Sequence, residues 1–138
     1  MTELTVLANW LKQFPMWDGP VYVDYSDGMP GSISLYPRGL TEVSRRMDVA
    51  GNVRTVNRLT LTLYRLTSDN PDSEENARWM LELQTWIRQQ SALGLAPVLG
   101  DVPQEESIRA EKGRLSRIQY VGCACYAVDL TAEFIKLH

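Results

Sequence analysis

The sequence is poor in the residues that most enzyme chemistry uses. Its only histidine is His138, the last residue. A Ser-His-Asp or Cys-His centre needs an imidazole fixed beside its nucleophile, so nucleophilic catalysis is not expected. Cysteine is limited to Cys123 and Cys125. Two are too few for a disulfide framework, and i,i+2 cysteines in one strand rarely meet disulfide geometry. A metal site needs more ligands, so both are expected as buried, reduced small hydrophobes. Gly28-Met29-Pro30-Gly31 lacks the lysine and the following helix of a phosphate loop. No apolar run approaches the roughly 20 residues of a membrane span. The opening MTELTVLANWLKQF has neither a basic start nor a small-residue cleavage site, so synthesis in a reducing cytoplasm is expected. The net charge of −3 gives no global basic field to attract nucleic acid.

What remains is an ordinary globular composition. At 138 residues, 44% of them hydrophobic, the chain is long enough for one core without staples, so a single soluble domain over 1–138 is expected. Leu4, Leu7, Leu11 and Phe14 follow helical spacing over 3–14, with Thr2 placed to cap and Pro15 to stop. Val21–Tyr25 and Ser32–Tyr36 read as two strands of a hairpin around Asp27-Gly28 and Pro30-Gly31. Residues 38–52, punctuated by Pro37, Gly39 and Gly51, read as a long loop, either partner-facing or an ordinary surface loop.

From Val53 to Leu66 the pattern is period two. Leu59, Leu61 and Leu63 take one face; Arg58, Thr60, Thr62 and Tyr64 take the other. Residues 73–92 predict the main helix, with Asp72 and Glu75 as a capping box and Gly94 as the stop. Its stripe is Trp79, Met80, Leu83, Trp86 and Ile87, wide enough to lie on a sheet. Residues 107–118 and 124–136 read as a long hairpin broken near Gly122, since an unbroken strand would far exceed the usual length of about 5–6 residues. The expected fold is α+β, in the order α-β-β-β-α-β-β. It has a mostly antiparallel five-stranded sheet with two helices packed on one face.

The strongest electrostatic feature is the arginine set Arg38, Arg45, Arg46, Arg54 and Arg58. It reads either as contact with nucleic-acid phosphates or as charge pairing across a subunit interface. The acidic overall balance and the lack of interleaved aromatics favour the interface. Asp24 and Asp27 could hold a cation or pair as acid and base in an enzyme, but Asp-rich turns are usually plain turn formers. Trp79 and Trp86 fit the helix stripe. Trp17 could be an exposed interface anchor, though a core role is favoured. The candidate interface residues are therefore Arg38, Leu40, Arg45, Arg46, Asp48, Arg54, Arg58 and Trp17, with no catalytic, cofactor-binding or metal-binding residue.

Four blocks, WDGPVYVDYSDGMPGSISLYP, TWIRQQSALGLAPVLG, PQEESIRAEKG and CYAVDLTAEF, together resemble one family. They are similar to the minor capsid or tail-terminator proteins of tailed phages and prophages of Gram-positive bacteria. The resemblance covers roughly residues 5–136 and is weakest over 38–52. It implies a non-enzymatic structural protein of the virion, assembled in the host cytoplasm. Such a protein forms a hexameric ring of copies of itself that caps the tail tube, stops its polymerisation and joins it to the neck. The implied partners are the tail-tube protein and a neck or connector protein. DNA is met only in passage through the ring, and no cofactor is implied. A head–tail connector role, or a small nucleic-acid-binding module using the arginines, are the alternatives.

Overall fold

The computed structural model describes residues 3–17, 19–23, 31–68, 73–120 and 123–138. The Thr2 cap, the Asp24 and Asp27 turn, the Asp72 cap and the break at Gly122 lie outside these residues. The elements are α1 (Glu3–Leu11), β1 (Val21–Val23), β2 (Ile33–Met47), β3 (Val53–Ser68), α2 (Ser73–Ala92), β4 (Ser107–Tyr120) and β5 (Cys123–Leu137), with a short 3₁₀ turn at Pro103–Glu105. The fold is α+β, with five strands in one mixed sheet of order β1-β2-β3-β5-β4.

Helix α1 stops at Leu11, earlier than its apolar spacing suggests. Ahead of Pro15 the last turns tighten to i→i+3 bonds, Gln13 N–H to Trp10 O and Phe14 N–H to Leu11 O, both at 3.0 Å. Phe14 is still buried, so its place in the apolar stripe survives the loss of helix. Helix α2 ends where Gly94 predicts. Gly94 takes φ +74, its N–H bonds Ser91 O, and Leu95 N–H reaches back to Gln90 O at 2.8 Å. This is the Schellman pattern, which satisfies carbonyls the helix would otherwise orphan.

Two expectations are corrected. The first is the hairpin between the first two strands: β1 runs parallel to β2, with Val21 opposite Ile33 and Val23 opposite Leu35. Turn signals in a sequence do not fix the direction of the strand that follows. Three paired residues span only about 10 Å, so a short connection can return the chain to the strand's start. The second is the loop over 38–52. Most of it is strand: β2 continues to Met47 and pairs with β3 as far as Met47 opposite Val53, leaving a tight turn between them. Beyond Leu35, β2 has no partner on its outer side among the described residues. Pro37 is tolerated at such an edge, and the register shifts directly after it. The other three strand pairings, including the expected β4–β5 hairpin, are antiparallel.

One core cluster joins both helices to the sheet. It includes Leu7 and Leu11 of α1, and Trp79, Met80, Leu83 and Ile87 of α2. From the strands come Leu59, Leu61 and Leu63 of β3 and the alternate residues of β5 from Ala124 to Phe134. The period-two reading of β3 and β5 therefore holds. Aromatic contacts tie the α1 region to α2: Trp10 and Trp86 lie 4.8 Å apart, and Phe14 meets Trp79 edge-on at 5.6 Å. Two buried indole N–H groups are satisfied in the same region, Trp10 by Leu95 O and Trp79 by Met16 O, each at 2.9 Å, whereas the buried Trp17 indole N–H has no hydrogen-bond partner among the described residues. Cys125 is buried and packs with Leu66 in a second, smaller cluster.

Candidate interaction surface

Seven of the eight residues singled out from the sequence, all except Trp17, fall on one feature, the arm formed by β2 and β3 beyond Tyr36. Every β2 residue from Pro37 to Met47 is exposed. The arm is nevertheless a paired structure, because β3 is flanked on its other side by β5 as far as Arg54 opposite Leu137. Two register shifts, between Pro37 and Gly39 and between Glu42 and Ser44, leave Arg38 and Val43 as extra residues on β2. Bulges of this kind twist an edge and interrupt its ladder.

The arginines are largely spent within the molecule. Arg45 pairs with Glu42 at 2.9 Å, Arg54 with Glu105 at 2.7 Å and Arg58 with Glu133 at 2.9 Å. These pairs are half-exposed and contribute little to stability, typically about 0–1 kcal/mol each, but they neutralise the arm. Arg38 crosses to the neighbouring strand, donating to Thr62 Oγ1 at 3.0 Å and to the Tyr64 hydroxyl. Arg46 has no ion-pair partner among the described residues. Trp17 is half-buried against the core cluster, 6.2 Å from Trp79, and does not join the arm.

What the arm offers instead is apolar. Leu40 is exposed, as are Val43, Met47 at 70% and Val49, which is fully exposed at the tip. Leu40 was singled out in the sequence; Val43, Met47 and Val49 were not. Their signal was a scatter of hydrophobics without period, which a strand exposed on both faces produces. Asp48 builds the tip turn. Its Oδ1 accepts from Ala50 N–H and Asn52 N–H at 2.9 Å, and its Oδ2 from the Asn52 amide at 3.0 Å. Gly51, at φ +87, supplies the left-handed residue of the turn.

The Asn52 side chain, followed by the backbone N–H groups, holds the Asp48 carboxyl below its ordinary value of 3.8. A folded-state pKa below the unfolded one stabilises the turn at all pH above the ordinary value. That contribution is lost as pH falls through the lowered value. Amide-exchange protection at Ala50 and Asn52 is therefore expected to persist at neutral pH and to fall in acid, below pH 3.8. Protection that is unchanged down to complete protonation would show that the carboxylate does not organise the tip.

A second surface was not legible in sequence. Arg38, Lys112, Arg114 and Asp129 line a shallow groove of about 460 Å³ across β2, β3, β5 and β4. Thr62 Oγ1 donates to Asp129 at 3.3 Å, and Arg114 reaches the same carboxylate at 3.4 Å. Its charges come from the two halves of the chain, so only strand pairing brings them together. No cluster of three or more His, Cys, Asp or Glu side chains that could hold a metal occurs among the described residues. No described helix is long and apolar enough to cross a membrane. A scan against protein-family models and a search of curated proteins both gave no match for this chain.

Proposed function

We propose that this chain is a structural subunit of a tailed-phage particle, a tail terminator whose copies form a ring on the end of the tail tube. One observation carries the reading: the β2 edge beyond Tyr36 and the turn that follows it are exposed, with apolar side chains at the end and most of the nearby charges paired internally. Leu40, Met47 and Val49 are costly to leave in water, and an arm that presents them fits a docking element better than a solvated loop. The four sequence blocks supply the particular assembly. In this reading the chain is one domain, and both helices cover one face of the sheet. The partners are further copies of the chain, the tail-tube protein and a neck protein, and the protein resides in the virion after assembly in the host cytoplasm. Ion pairing of Arg45, Arg54 and Arg58 weighs against a phosphate-binding role for the arm and for a packing one.

Light scattering and negative-stain microscopy, with and without short tail tubes, test this. The expected result is discrete rings, or caps that fix tube length. A chain that stays monomeric and ignores tubes overturns the proposal.

A further inference from the structure

Assembly into a ring requires a second patch for the arm to meet. Pairing between the two outer sheet edges is a poor candidate. β2 exposes Arg38, Arg45 and Arg46 against Glu42; β4 carries Arg109, Lys112 and Arg114 against Glu111. Both edges thus have a surplus of cations, which repel when strands are laid side by side. Both are also bulged: β4 shifts register three times, and Lys112 sits at φ 58. Charge and bulges together are the devices that block strand addition.

A better match lies between α1 and the end of α2. There a cleft of about 490 Å³ is lined by Val6, Trp10, Leu95, Ala96, Pro97 and Val98; its polar lining residues are Asn and Gln, and none is charged. Leu95 and Val98 are 55% and 54% exposed, so the chain's own core leaves this cleft open. The arm tip has the matching character. Met47 and Val49 are exposed, and the one carboxylate between them, Asp48, is turned inward onto Ala50 and Asn52. Arg46, Arg54 and His138 line one hollow with Met47, which leaves Val49 as the fully exposed apolar end of the tip.

In this structure the tip does not fill the cleft of its own subunit: Met47 and Val49 are exposed, and so are Leu95 and Val98. Ile108 N–H bonds the Ser91 hydroxyl near the end of α2, and Ile108 and Leu59 both pair with Ala132, so the end of α2 lies level with Leu59. The connector that follows Val98 reaches further along the sheet, since Asp101 N–H bonds Ile135 O and Ile135 pairs with Val56; from Val56 to Val53 the arm runs on about 10 Å as paired strand. Tip and cleft are different patches on one subunit, so a contact between them that is not reciprocated is head-to-tail, the kind that closes into a ring when its rotation closes. Resting on the ring reading above, we propose that the Met47–Val49 tip of one copy seats in the uncharged cleft beside Trp10 and Val98 of the next copy.

Cysteine cross-linking tests this in the full chain. The double variant Val49→Cys with Val98→Cys, assembled and then oxidised, is expected to give a ladder of covalent multimers. Each single variant is expected to give dimers at most. Rings that form and yield no ladder overturn the contact and leave the ring reading standing. A wild-type chain that forms no ring with or without tubes overturns both. A complementary mixture guards against a cross-linking artefact: Val49→Arg and Val98→Arg should each block assembly, yet their mixture should give one-to-one dimers, since one intact tip and one intact cleft remain. Dimers in either variant alone, or none in the mixture, would also overturn the contact.

Discussion

Replacing Glu106 by alanine should cost about 2–5 kcal/mol of stability, the scale of two buried donors left without an acceptor. Glu106 is only 6% exposed. Its Oε1 accepts Leu99 N–H at 2.7 Å and Gly100 N–H at 3.0 Å. Those donors cannot swing out to water, because the segment that carries them is pinned on both sides. A Cβ on Gly100 would lie 2.3 Å from Ile135 O, so the backbone there is in close contact with β5. Asp101 N–H bonds Ile135 O at 2.7 Å, and Leu137 N–H bonds the Asp101 carboxylate at 2.8 Å. Glu106→Gln keeps an acceptor oxygen and should cost less than half as much. Urea unfolding is the measurement. With a slope of about 1–3 kcal/mol/M, the alanine variant should move the midpoint by roughly 1 M or more. A shift below about 0.3 M for the alanine variant would mean that water reaches these donors and that the clamp is not structural.

Nothing in the sequence separates Glu106 from Glu105. Both stand in PQEESIRAEKG, yet one is buried and clamps the backbone while the other is exposed on Arg54. The difference is tertiary: it depends on which glutamate faces the connector after the 3₁₀ turn. The elements that were legible are those with one face in the core. β3 and β5 alternate because burial on one side imposes period two, and the α2 stripe is marked because Trp79, Met80, Leu83 and Ile87 join the core cluster. The β2 half of the arm has no buried face, so no period marks it, and the extra residues Arg38 and Val43 shift the register twice. Proline and glycine then read as breaks where the structure uses them at an edge and a bulge. Direction was the other loss, since composition marks turns but says nothing about whether the returning strand runs parallel.

The candidate surface was half legible for the same reason. Arg38, Arg45, Arg46, Arg54 and Arg58 do lie on one arm, which their nearness in sequence suggested. Their partners Glu105 and Glu133 are far along the chain, so the neutralisation could not be read. With Arg45, Arg54 and Arg58 paired internally, Met47, Val49 and Arg46 are what the end of the arm presents. The cleft beside Trp10 depends on α1 meeting the end of α2, which no local pattern encodes.

Leu83→Ala and Leu81→Ala should behave oppositely although they lie on the same helix. Leu83 is fully buried in the core cluster, beside Met80 and Ile87; Leu81 is 63% exposed. Truncating Leu83 removes apolar contacts and leaves a cavity that the neighbouring backbone cannot fully close, a loss of about 2–5 kcal/mol. Truncating Leu81 should change stability by less than about 0.5 kcal/mol, as is usual for exposed positions. Against a total of about 5–15 kcal/mol for a domain of this kind, the first variant approaches the threshold of folding and the second does not. Both can be measured by the same urea midpoint. The pair also separates fold from assembly. Leu83→Ala should weaken any assembly only in proportion to the folded fraction, because it touches no proposed contact, whereas a tip variant such as Val49→Arg should abolish assembly with the midpoint unchanged. Equal costs at Leu81 and Leu83 would mean that α2 does not face the sheet through the Trp79–Ile87 stripe, and the core described above would have to be redrawn.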